Sequence, residues 1–89
     1  MNEKVALAAV TAVEGAHAYS AFCPSIFTIR RFRDVKTVQD VRDGELAGTI
    51  FALVLGVSVS ALVKDPLPLY FAAGVAVIMV MVYEWALRT

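Results

Sequence analysis

The sequence predicts an all-α membrane protein: a transmembrane helical hairpin of two spans, preceded by an alanine-rich helix that is either amphipathic and interfacial or a third membrane-associated helix. Three observations carry this. Leu46 to Val63 and Leu67 to Tyr83 contain no charged residue, and each approaches the ~20 residues that a helix needs to cross ~30 Å of hydrocarbon. The link between them, Lys64-Asp65-Pro66-Leu67-Pro68, is short and rich in turn formers. Of the 89 residues, 60% are hydrophobic. That is too much for a small soluble domain, which leaves roughly 40% of its unfolded-chain surface in water.

The first segment, residues 1–23, contains VALAAVTAVEGAHAYSAF from Val5 to Phe22. It is apolar enough for a membrane, yet Glu14 and His17 each cost about 2 kcal/mol or more at a bilayer centre. The stretch also imitates a signal peptide, with Ala16-His17-Ala18 as an A-x-A site. Glu14 beside that site argues for a retained helix, lying at the interface or held as a third span by neighbours.

Residues 24–45 form a basic interfacial linker and a short amphipathic helix. Pro24 ends the first helix, because a proline disfavours the α region for the residue before it. In Ile26 to Arg33, bulky apolar residues alternate with Arg30, Arg31 and Arg33, a composition suited to a headgroup layer. Asp34 is a candidate N-cap, and Val35, Val38 and Val41 form a short apolar stripe. Gly44 and Gly48 would permit a bend before the first span.

Residues 46–63 are the first span, 64–68 the link and 69–87 the second span. Asp65 is placed to cap the second helix, with Pro66 in its first turn. Helices joined so tightly must run antiparallel and pack together. Tyr70 near one end, and Tyr83 and Trp85 near the other, are expected to sit at the two membrane interfaces.

Eight Lys+Arg balance eight Asp+Glu, which excludes a long-range field for capturing nucleic acid; direct nucleic-acid contact is not expected. The basic residues are nevertheless uneven. Arg30, Arg31, Arg33, Lys36 and Arg42 precede the first span, whereas the link has Lys64 and the end of the second span Arg88. The positive-inside rule therefore places the basic segment and the C-terminus on the cytoplasmic side of a host inner membrane, or on the interior side of a virion membrane. The five basic residues are expected to touch headgroups or a partner.

Small residues recur at every fourth position of the first span: Gly44, Gly48, Ala52, Gly56 and Ser60. They lie on one i±4 ridge, where missing bulk lets another helix come close. Counting outward from the link, Gly56 and Ser60 fall level with Ala72, Ala73, Gly74 and Ala76, so these nine residues are the expected helix-packing set. The same count brings Glu45 level with Glu84 and Arg88, near Arg42.

One histidine, His17, and one cysteine, Cys23, leave no multi-histidine metal site and no internal disulfide. Phosphate loops and nucleophile elbows are missing too, and neither Leu46 to Val63 nor Leu67 to Tyr83 carries a charged residue that would mark an ion pathway. No enzyme activity and no cofactor are expected. The partners are lipid, copies of the chain and other structural proteins of an assembly.

In architecture alone, residues 42–89 resemble three kinds of small membrane protein: those of membrane-containing phages, conjugative pilins and two-span holins. The resemblances imply a non-enzymatic, multi-copy structural subunit, with a virus particle as the favoured setting. A holin-like pore former and a pilin-like filament subunit are the alternatives. The first half is long for a processed pilin, and Arg88-Thr89 lacks the charged tail of many holins.

Overall fold

In the computed structural model, which describes residues 3–32 and 34–88, the chain is all-helical, with no strand among the described residues. Four helices follow in order: α1 (Glu3–Phe22), α2 (Ile26–Arg31), α3 (Val35–Val63) and α4 (Leu67–Arg88). Three of them, α1, α3 and α4, are long and apolar enough to cross a membrane. All three pack on one another in a rod 44 Å long and 21 by 16 Å across. That length matches a bilayer with its headgroups, about 40–45 Å.

The direction of each helix follows from contacts at the two ends. Lys4 Nζ lies 3.3 Å from Asp65 Oδ2, which ties the start of α1 to the α3–α4 link. Just past the far end of α1, the Cys23 thiol points at the Val41 carbonyl early in α3. Thus α1 runs antiparallel to α3 and parallel to α4. The first helix, for which the sequence allowed an interfacial position, lies lengthwise against both others.

Local chemistry sets the boundaries. Asp34 caps α3, its Oδ1 accepting the Thr37 N–H at 2.7 Å. Ser25 caps the short α2 in the same way through Thr28. Helix α3 continues through Gly44 and Gly48 without interruption. The glycines there serve close approach instead of a bend.

The link accounts for its backbone donors one by one. Lys64 adopts the left-handed conformation, φ 56° and ψ 42°, which costs a residue with a Cβ about 1 kcal/mol. Its N–H and that of Asp65 both reach the Ser60 carbonyl. Helix α4 begins at Leu67, one residue after Pro66. The Leu67 N–H donates to Asp65 Oδ1 at 2.9 Å and the Leu69 N–H to Ser60 Oγ at 2.9 Å, while Pro68 has none to satisfy. The orphan donors of a helix start are thereby paired. These bonds hold the Asp65 carboxyl below the usual carboxylate range: the Leu67 N–H contributes most, then Lys4.

The interior is sorted by size. Helix α1 buries Ala8, Thr11, Ala12, Gly15, Ala18 and Tyr19; α3 buries Val41, Gly44, Glu45, Gly48, Ala52 and Gly56; α4 buries Pro68, Ala72, Ala76, Tyr83 and Ala86. Bulky apolar side chains, among them Ile50, Phe51, Val54, Val57, Leu62, Val77, Ile78 and Met81, stand on the outside. A water-soluble protein buries most side chains of this bulky class. Here close backbone contact, which lipid cannot supply, is reserved for the helix interfaces.

Candidate functional site: the helix interfaces

The ridge on α3 serves two helices in turn. In its first half it receives α1: a Cβ placed on Gly44 would lie 2.6 Å from both the Phe22 carbonyl oxygen and Cys23 Sγ, and one on Gly48 2.9 Å from the Tyr19 ring. Ala52 is fully buried against Gly15, with 3.2 Å between the Ala52 Cβ and the place a Gly15 Cβ would occupy. In its second half the ridge receives α4: a Cβ on Gly56 would meet the Ala72 Cβ at 2.8 Å and the Leu69 Cα at 3.2 Å. Ser60, the last of the series, is the hydrogen-bond acceptor for Leu69 described above.

On α4, Ala72 and Ala76 are buried and Ala73 is half-buried at a shallow apolar groove with Thr49 and Leu53. Gly74 departs from the expected packing set. It is exposed, and a Cβ there would meet nothing within 4 Å. The period of the helix turns it away from α3 by about 200° relative to Ala72, two residues earlier.

At the arginine end the three helices are spaced by larger side chains. Tyr19 of α1 stacks on Tyr83 of α4, ring centroids 6.3 Å apart and planes 20° from parallel, a favourable offset geometry. The Tyr19 hydroxyl shares a hydrogen bond of 2.5 Å with Thr49 of α3. Ile29 of α2 and Val41 of α3 complete this cluster, both fully buried. Tyr83, expected at the headgroup level, is thus a core residue with 4% exposure. Tyr70 and Trp85 do point outward, and the Arg30 guanidinium lies over the Trp85 ring, 5.2 Å from its centroid.

Charge is buried at one point. Glu45 is 8% exposed, faces the Glu84 carboxyl and Arg42, and leaves its Oε1 without a hydrogen-bond partner. Two carboxyl groups hydrogen-bond only with a proton on one of them, because an ionised carboxylate accepts and cannot donate. Arg42 lies 3.7 Å from Glu84. Arg30, Arg31 and Lys36 are exposed on the same end, and Arg33 lies outside the described residues.

Cys23 is buried. Burial, assisted by the Glu45 carboxylate, pushes its thiol up to about 11, which makes it a poor nucleophile at neutral pH. Among the described residues no cluster of three His, Cys, Asp or Glu side chains could hold a metal ion. Comparison of the chain with protein-family models, curated proteins and solved structures finds no match.

Proposed function

We propose that the protein is a non-enzymatic integral membrane protein that acts as a multi-copy structural subunit of a membrane-associated assembly, with a virus (phage) particle as the favoured setting. The observation that carries this reading is the sorting by size. Small residues meet inside, and bulky apolar ones face outward along a rod as long as a bilayer is thick. Such a rod is at home in lipid or among other apolar helices.

In this reading α3 and α4 form the transmembrane hairpin and α1 is the third span. Arg30, Arg31, Lys36 and the neighbouring Arg33 anchor the cytoplasmic or interior face to anionic headgroups or to a protein shell. The virus setting comes from the architecture of small phage membrane proteins and from no residue motif.

A holin-like pore is the second reading, because α1 carries Glu14 and His17 on its exposed side. Expression of the full chain in bacterial cells separates the two. The structural reading expects protein that resists alkaline carbonate extraction from the membrane fraction, unchanged growth, and an oligomer on native electrophoresis. Abrupt dye entry with loss of growth would overturn it in favour of the pore.

A further inference from the structure

The outward side of α1 differs from those of α3 and α4. On α3 and α4 the exposed residues at mid-length are Phe51, Val54, Val77, Ile78 and Met81, which suit lipid. On α1 the exposed stripe runs Leu7, Val10, Glu14, His17 and Ala21, at intervals of three and four residues, so all five share one face. The side chains of Glu14 and His17 make no hydrogen bond or ion pair with another described residue.

Contacts across the bundle fix the depth of this stripe. Gly15 sits against Ala52, and Tyr19 against Gly48 and Thr49. Ala52 is six residues inside the uncharged stretch that starts at Leu46, about 9 Å along a helix axis. Given that reading of α3 as a span, Glu14 lies well within the hydrocarbon and His17 slightly nearer the arginine end. An ionisable side chain at that depth does not face lipid; it turns to protein or to water.

We propose that this face of α1 is a contact surface between two copies of the chain within the bilayer, with Glu14 of each copy accepting a hydrogen bond from His17 of the other. The chemistry is self-complementary. A carboxylate accepts, and an imidazole has an N–H to donate in either tautomer. Copies inserted in the same orientation and related by a two-fold axis along the membrane normal bring α1 against α1 in parallel. Glu14 and His17 are then offset by three residues, about 4.5 Å, within the reach of the two side chains. The pairing occurs twice, as in any isologous contact. Ala21 at one end of the stripe lets the backbones approach.

This inference rests on the membrane reading and specifies which surface assembles. The test uses full-length protein reconstituted in phosphatidylcholine vesicles, with Cys23→Ser as background. Single cysteines replace Val10 or Ala21 on the α1 stripe, and Val77 on α4 as a control. Oxidation is expected to give disulfide dimers from the α1 positions and not from Val77. In a donor–acceptor dilution series, Glu14→Ala or His17→Ala is expected to weaken association about tenfold, and exchanging the two residues (Glu14→His with His17→Glu) to restore it.

Crosslinking through Val77 alone would overturn this surface while leaving a multi-copy subunit in place. A protein that stays in vesicles as a monomer at every dilution would overturn the surface and the multi-copy reading together, and one that fails to enter vesicles would overturn the membrane reading itself. Rapid reaction of a His17→Cys variant with a membrane-impermeant thiol reagent, accompanied by leakage of trapped dye, would mean a water-lined lumen and would overturn the sealed contact.

Discussion

Across the first half of the α3 ridge, Gly44 and Gly48 admit the Phe22 backbone and the Tyr19 ring of α1, while across the second half Gly56 admits the Ala72 methyl and Leu69 of α4. One row of small residues therefore serves two neighbours by different means. Toward the link, the α3 backbone meets the Ala72 methyl and Leu69 of α4 and the polar groups are consumed in capping. Toward the arginine end, α1 comes close to α3, and α4 is held by the Tyr19–Tyr83 stack and a buried carboxyl. The contrast shows that a repeated small-residue spacing specifies close approach without specifying which helix approaches.

The sharpest way to break the first half is Gly44→Ala. Its new methyl would lie 2.6 Å from a carbonyl oxygen of the main chain, which cannot move without moving α1, so a loss of about 3 kcal/mol is expected from overpacking. Equilibrium unfolding in mixed micelles reads it, and retention of wild-type stability would contradict the close approach.

For the second half, Gly56→Ala should cost about 2 kcal/mol for the same reason. Ala72→Gly removes the methyl that it strikes, so the double variant should recover at least half of the loss. No recovery would mean that α4 is not the partner there.

Glu45→Gln probes the polar side of the comparison. An amide can donate to Glu84 without a shared proton, and removing one of two facing carboxyl groups should raise stability by about 1 kcal/mol. A loss instead would assign the carboxylate an attractive role toward Arg42.

A smaller effect belongs to acid. Because the Asp65 carboxyl is held below the usual carboxylate range, its contribution is fully present at and above that range and disappears as pH falls through the depressed value. A modest drop of the unfolding midpoint at low pH is expected, shallower in Asp65→Asn; identical pH profiles would rule out the link as its source.

The smallest expected change is at Gly74, where an alanine meets nothing. Gly74→Ala should be neutral or gain less than about 1 kcal/mol from helix propensity, and a clear loss would show that another molecule packs there.

Much of this was legible in the order of residues. The uncharged stretches of α3 and α4, the Asp34 and Asp65 caps and the ridge all follow from local chemistry. Less legible was the partner of each ridge position, since α1 and α4 are both rich in alanine and hydropathy cannot rank them. The packing face of α1 is marked by size and not by polarity: Ala8, Ala12, Gly15 and Ala18 face in, while Val10 and Val13 face out. Tyr83 illustrates a different limit. An aromatic residue near a span's end is compatible with a headgroup position or with a partner inside, and Tyr19, sixty-four positions away, decides it. A single thiol, Cys23, would be the natural reporter of sidedness. Its burial removes it from that use and leaves the chain free to carry an introduced thiol elsewhere.

The antiparallel seat of α1 on Gly44, Gly48 and Ala52 also sets an order of events during synthesis. Helix α1 leaves the ribosome before α3, and the surface that accepts it is made about thirty residues later, a delay of a few seconds at ordinary elongation rates. During that interval a helix carrying Glu14 and His17 lacks the neighbour that it packs against. In the membrane reading proposed above, α1 is thus housed only after the later helix α3 has been made.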